Sequence, residues 1–117
     1  MITLEMLEKA RVKYRFDKYV WITHKGSFLA NRSCLVGITS EGRVVWCSWS
    51  YENIHEFFSD AVAGGRLYMS SYFLQDKNLL DGSVINGVEI LSVKIFETDE
   101  ECLEHFKDML FMEELAK

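Results

Sequence analysis

The sequence predicts an α+β fold in one domain, residues 1–117, with a mainly antiparallel sheet of about five to six strands packed with three helices. Three observations predict it. Apolar residues alternate with period two in some segments and recur every three to four residues in others. The connections between the predicted strands are too short for parallel crossovers. At this length the chain can bury a core of its own. The expected order is helix, three strands, helix, three strands, helix.

A β-hairpin over residues 33–49 is the most clearly patterned part of the chain. Ser-Glu-Gly at 40–42 fits a three-residue connection with Gly42 in the left-handed region. This connection predicts that Val36 lies opposite Trp46. Side chains alternate between the two sides of a strand. The first face, expected to be the core face, then carries Cys34, Val36, Ile38, Val44, Trp46 and Ser48, and the second face carries Ser33, Leu35, Gly37, Val45, Cys47 and Trp49.

The second face is too apolar to be left in water, which predicts that a helix, a partner or a ligand covers it. The following strand, residues 66–74, would add Tyr68 and Tyr72 to this aromatic surface. Tyr and Trp concentrate binding energy at interfaces. We therefore predict a binding face made of Leu35, Cys47, Trp49, Tyr68 and Tyr72. Cover by the first or the last helix is the equally weighted alternative, and it would make this face a second core layer.

The first helix is predicted from Leu4, with Thr3 as its N-cap. Its end is open. Residues 10–16 alternate between apolar and basic side chains, as in a strand, although the helical spacing of Leu4, Leu7 and Ala10 favours a helix that continues past Ala10. Residues 19–24 predict the first strand, and residues 28–32 lead into the hairpin.

Ser50 is a candidate cap for the middle helix, which Gly64-Gly65 would end. Asn86-Gly87 predicts a two-residue turn between a short strand at 83–85 and a long strand at 88–96. Thr98 and Glu101 have the spacing of a capping box and predict the start of the last helix. The apolar stripe of this helix is Cys102, Leu103, Phe106, Met109 and Leu110, with Phe111 and Met112 beyond it.

Composition indicates a globular cytoplasmic protein without a membrane segment. Hydrophobic residues make up 49% and charged residues 26% of the chain. No apolar run approaches the roughly 20 residues of a membrane span, and the N-terminal residues carry acids where a signal peptide would carry basic side chains. Three cysteines without paired spacing do not suggest a disulfide framework, and the hairpin register places Cys34 and Cys47 on opposite faces.

The net charge of −5 conceals a division along the chain. The segment 9–32 is strongly basic, whereas the last helix is rich in carboxylates. We expect the basic segment, represented by Arg11, Lys13, Arg15 and Lys18, to contact acids of the last helix, in the same chain or across a homodimer. Aromatic residues interleave with these cations, so single-stranded nucleic acid is a less favoured alternative partner, given a pI of about 5.2.

Two sets of residues are candidates for catalysis or metal binding. Cys47, His55 and Asp60 could in principle form a nucleophilic cluster, but no local signature supports it. Cys102 and His105 share a helical face, yet they supply only half of a tetrahedral metal site. Gly64-Gly65 follows a helix, whereas a phosphate-binding loop precedes one. The sequence therefore predicts no catalytic residue, no metal site and no cofactor.

The sequence thus favours a non-catalytic protein-binding module. A small acidic protein with surplus aromatic surface suits an inhibitor, an immunity protein or a phage anti-defence protein that occludes another protein. The alternative is a small-molecule binder in which Trp49, Tyr68 and Tyr72 stack a flat, nucleotide-like ligand at a sheet face or a dimer interface.

Overall fold

The fold is α+β and its sheet is antiparallel, as predicted. The computed structural model describes residues 2–25, 31–41, 43–47, 51–53, 56–57, 73–76, 84–85 and 88–116. Within these residues, helix α1 is Leu4–Tyr14 and helix α2 is Asp99–Leu115. The strands are β1 Lys18–Lys25, β2 Asn31–Ile38, β3 Arg43–Trp46, β4 Phe73–Asp76, β5 Val84–Ile85 and β6 Val88–Ile95.

The centre of the sheet is formed by β3, β2, β1 and β6, in that spatial order, and the short strands β4 and β5 continue it at the two edges. Every described pair of neighbours is antiparallel. The expected total of three helices and five to six strands is not confirmed. Of the predicted middle helix, residues 51–53 and 56–57 are described. Glu56 and Phe57 are helical, whereas Tyr51 pairs with Ser33 in the sheet, so the helix does not begin directly after Ser50 as predicted. The side chain of Asn53 accepts from the N–H of Glu56 at 2.9 Å, as a helix cap would.

The hairpin register predicted from turn length is confirmed. Val36 lies opposite Trp46, and Ile38 lies opposite Val44. The backbone N–H of Cys47 donates to the carbonyl of Leu35 at 2.9 Å, which continues the same register beyond β3. The prediction that Gly42 has positive φ lies outside the described residues.

Helix α1 continues past Ala10, so the helical interpretation of residues 10–16 is confirmed as far as Tyr14. The hydroxyl of Thr3 caps it by accepting from the N–H of Met6 at 3.2 Å. Arg15 follows the helix in the left-handed conformation, with φ 57° and ψ 52°. The N–H of Phe16 then donates to the carbonyl of Arg11, five residues back, as in a Schellman motif. This turn directs the ring of Phe16 onto the sheet.

Helix α2 begins at the predicted capping box. The hydroxyl of Thr98 accepts from the N–H of Glu101 at 3.1 Å. The carboxylate of Glu101 accepts in return from the N–H of Glu97, also at 3.1 Å. Two backbone donors at the helix start are thereby satisfied. Cys102 and Phe106 of the predicted stripe are fully buried.

Both faces of the sheet are buried. The second face lies under the two helices, and its cluster joins Trp21, Leu35 and Cys47 to Leu7 of α1 and Phe106 of α2. The hydroxyl of Tyr19 donates to the carbonyl of Leu7 at 2.8 Å, which ties the sheet to α1. The first face forms a separate and smaller cluster, Val20, Ile22, Cys34, Val36, Val44 and Ile90. The expectation that the second face needs cover is therefore met by helices.

Candidate functional site

The predicted binding face is corrected at both of its described residues. Leu35 and Cys47 are each 0% exposed and belong to the cluster beneath α1 and α2. A partner could not reach them without displacing the helices. For these two residues the alternative of a second core layer is the observed one. Trp49, Tyr68 and Tyr72 lie outside the described residues.

The environment of Cys47 does not suit a nucleophile. Its Sγ donates to the carbonyl of Val45 at 3.5 Å. Burial raises the pKa of the Cys47 thiol well above its ordinary value, and burial likewise raises the pKa of Cys102. A reactive cysteine needs a lowered pKa and access to solvent. His55 and Asp60, the other members of the candidate nucleophilic cluster, lie outside the described residues.

Cys102 and His105 do not come together as metal ligands. Cys102 is fully buried in the core, whereas His105 is half-buried with its ring 5.2 Å from that of Phe96. Burial lowers the pKa of His105, and nearby Lys94 lowers it further. In the part of the chain that the structure describes, no group of three or more His, Cys, Asp or Glu side chains is arranged to hold a metal ion.

The predicted contact between the basic segment and the last helix is confirmed at Arg11. Its Nε lies 3.2 Å from both carboxylate oxygens of Asp99, in the first turn of α2. Lys18 pairs at 2.6 Å with Glu97, two residues before α2. These contacts lie within one chain, so a dimer is not needed to neutralise these two cations.

The other two members of the basic segment remain at the surface. Lys13 and Arg15 are exposed, and neither forms an ion pair with any residue that the structure describes. The ammonium of Lys13 instead lies 5.3 Å from the ring centre of Tyr14. Two of the four predicted basic residues, Arg11 and Lys18, thus form ion pairs within the chain.

The C-terminal half of α2 exposes a set of large apolar side chains that the predicted binding face did not include. Phe111, Met112 and Leu115 are 62%, 63% and 65% exposed. Residues three and four apart are neighbours on a helix, so Leu115 adjoins both others. We call them the exposed apolar triplet. A signal was present in the sequence, because Phe111 and Met112 lie off the stripe that packs on the sheet.

A groove of about 430 Å³ runs beside this triplet. One wall is α2, through His105, Met109 and Met112. The other wall is formed by Glu52 and Asn53, and the floor includes Trp21 and Ser33. We call this feature the α2 groove. Met112 belongs to both the groove and the triplet, so the two form one continuous surface.

Hydrogen bonds and ring contacts hold the α2 groove in place. Ser33 and Tyr51 exchange two backbone hydrogen bonds, at 2.7 and 2.8 Å, which tie the residue preceding the wall to β2. The Trp21 ring packs edge-on against Phe57 at 5.3 Å and Phe106 at 5.2 Å. The floor is therefore part of the core, and the segment that forms the wall opposite α2 is tied to the sheet through Tyr51.

The rim of the α2 groove is acidic. Glu52, Asp108 and Glu113 all line it. Burial lowers the pKa of His105, which favours the neutral imidazole over a positive charge in the groove. An apolar floor with an acidic rim suits a ligand that carries apolar and cationic groups together.

No family model, curated protein or solved structure matches the chain. Among the described residues, neither helix has the length and apolar character that crossing a membrane would require. The function is therefore argued from the chemistry of this surface.

Proposed function

We propose that the protein is a non-catalytic, cytoplasmic protein-binding module that uses the exposed apolar triplet and the α2 groove to occlude a partner protein. An inhibitor, an immunity protein or a phage anti-defence protein is the class we favour. The observation that carries the proposal is the exposure of Phe111, Met112 and Leu115, each above 60%, on a single helix.

The energetic argument rests on burial. Full burial of one such side chain contributes about 1.5 to 3 kcal/mol. The triplet lies on a helix anchored by Cys102 and Phe106 in the core, so its backbone is already ordered before a partner arrives. Preorganisation of this kind lowers the entropic cost of binding. A surface with these properties supports tight association with another protein.

Charge argues against the two alternative partners. The acidic rim of the α2 groove would repel the phosphates of a nucleotide-like ligand or of nucleic acid. Arg11 and Lys18, which would have contacted phosphates, are held by Asp99 and Glu97. No observation on the described residues favours either alternative over a protein partner.

Affinity capture on the immobilised full chain, from a lysate of the native host, would test the proposal. The captured protein is identified by mass spectrometry, purified, and titrated against the chain by calorimetry. We expect Phe111→Ala/Met112→Ala to weaken its binding at least about tenfold, a loss of about 1.4 kcal/mol. Val12→Ala is the matched control, because Val12 on α1 is 64% exposed and lies on another helix.

Two results would contradict the proposal. One is equal affinity of the purified partner for the wild type and for Phe111→Ala/Met112→Ala. The other is a small mass retained by the purified chain in native mass spectrometry, without capture of any protein, which would favour the small-molecule alternative.

A further inference from the structure

We propose that the α2 groove receives a basic amphipathic segment of the partner, with an apolar side chain against Met109 and Met112 and cationic side chains facing Asp108 and Glu52. This inference rests on the proposed function and specifies the chemistry of the partner.

The first argument is the combination of surfaces inside the groove. Met109 and Met112 have flexible, polarizable side chains that adapt to a range of apolar groups. Trp21 below them is fixed by its two ring contacts. An adaptable wall above a rigid aromatic floor suits one large apolar side chain of a helical partner, as in helix-in-groove recognition.

The second argument is the sign of the charge. Helix α2 carries seven carboxylates against one lysine, Lys107. Asp108 lines the groove, and Glu52 faces it from the other wall. The pair between Glu52 and Arg32, 3.2 Å apart, is solvent-exposed. Such a pair contributes only about 0 to 1 kcal/mol, so an incoming cation can replace Arg32 at little cost.

The third argument excludes a second copy of this chain as the preferred occupant. Five cations of the described part of the chain lie beside carboxylates of the same chain, so each would bring a carboxylate with it to the groove of a second copy. The pairs are Lys9–Glu5, Arg11–Asp99, Lys18–Glu97, Lys25–Glu89 and Arg32–Glu52. The exposed surface of α1, where Lys13 lies, also carries Glu5 and Glu8. A second copy therefore offers few spare cations to an acidic groove.

Two synthetic peptides provide the test, an 18-residue amphipathic helix of leucine and lysine and its leucine and glutamate counterpart, both labelled with fluorescein. Each is titrated with the full chain by fluorescence anisotropy. We expect the lysine peptide to bind at least about tenfold more tightly than the glutamate peptide, a difference of about 1.4 kcal/mol.

Matched variants distinguish the groove from general attraction to an acidic protein. Asp108→Lys and Glu100→Lys make the same change of charge on α2, in the groove and in the first turn respectively. We expect Asp108→Lys to weaken the lysine peptide at least about fivefold and Glu100→Lys less than about twofold. Met112→Ala should also weaken it, whereas Val12→Ala, at an equally exposed site, should not. All four sites are exposed, and melting curves confirm folding.

The inference would be overturned if Asp108→Lys and Glu100→Lys lost equal affinity for the lysine peptide, or if Met112→Ala bound it as tightly as the wild type. If the lysine peptide does not bind but a captured partner depends on Phe111 and Met112, the inference about a basic segment is wrong and the proposed function still holds. Light scattering gives the remaining outcome, since a dimer abolished by Met112→Ala would identify a second copy as the occupant and refute a basic partner segment.

Discussion

At Gly37 the second face of the sheet lacks a side chain because the ring of Phe16 occupies that space. A methyl group built on Gly37 would overlap Cδ2 and Cγ of this ring. Gly37 lies opposite Tyr19 in the neighbouring strand, and the Phe16 and Tyr19 rings meet edge-on at 4.9 Å. Tyr19 in turn donates to the carbonyl of Leu7. Gly37 thus makes room for the link between the sheet and α1.

Gly37→Ala should destabilise the fold. Overpacking of a core costs about 1 to 3 kcal/mol, whereas replacement of glycine by alanine without a clash would stabilise by about 0.4 to 1 kcal/mol. Urea denaturation measures the difference. The same substitution in a Phe16→Leu background should cost less, because the smaller side chain can move away. An identical cost in both backgrounds would show that the ring does not set this requirement.

Buried ionisable groups predict a loss of stability at alkaline pH. Cys47, Cys102 and Tyr19 have raised pKa values in the folded state, chiefly because of burial. Above the ordinary thiol pKa of 9.0 the unfolded chain releases protons that the folded chain keeps. Stability should therefore fall as the pH rises above 9, by about 1.4 kcal/mol per pH unit for each such proton.

Urea midpoints measured from about pH 7 to about pH 10.5, on both sides of the ordinary thiol pKa, test this expectation. The double variant Cys47→Ala/Cys102→Ala is less stable overall because of the lost packing, but its stability should fall less steeply above pH 9. An unchanged slope in this variant would contradict the assignment to the thiols.

Helix α1 shows where a sequence pattern was ambiguous and what decided it. Ala10, Val12, Tyr14 and Phe16 alternate with basic residues, yet Val12 is largely exposed in the observed helix. The cap at Thr3 and burial of the helical stripe decide in favour of the helix, and that burial depends on contacts with residues distant in sequence. The alternation of apolar and basic residues therefore does not correspond to a strand with one buried and one exposed face.

Two glycine substitutions near the end of α1 are expected to change the stability of the protein in opposite directions. Arg15 is in the left-handed region at φ 57°, where a side chain is unfavourable and glycine is not. Arg15→Gly should stabilise the protein by up to about 1 kcal/mol. Lys13→Gly, inside the last turn of the helix, should instead destabilise it by about 1 kcal/mol. Thermal unfolding of both variants measures this, and a destabilised Arg15→Gly would refute the argument.

Elements fixed by local rules were predictable. Turn length and alternation determined the pairing of Val36 with Trp46, and the Thr98 capping box located the start of α2. The choice of face was not predictable, because both faces of the hairpin are apolar and only contacts with α1 and α2 select the second face. For the same reason the predicted binding face includes Leu35 and Cys47. The apolar pattern of the last helix places Phe111 and Met112 beyond its stripe but does not single out Leu115.

At the scale of the whole molecule, the two ends of the chain meet above the second face. Helices α1 and α2 contact each other, and Arg11 reaches Asp99 across 88 positions of sequence. The division of charge predicted that the basic segment would meet the acidic helix, although not which residues would pair. Asp99 is placed in the first turn of α2, where the positive end of the helix dipole also stabilises a carboxylate.

Arg11→Gln should therefore destabilise the protein by about 1 kcal/mol more than Lys13→Gln, because it removes a partly shielded pair while the control removes a cation without an ion partner among the described residues. The difference, measured by urea unfolding, should shrink between about 0.05 M and 1 M NaCl as screening increases. In a double-mutant cycle, Asp99→Asn should cost less in the Arg11→Gln background than in the wild type. Equal stabilities of Arg11→Gln and Lys13→Gln at low salt would mean that general charge balance, rather than this pair, joins the two ends of the chain.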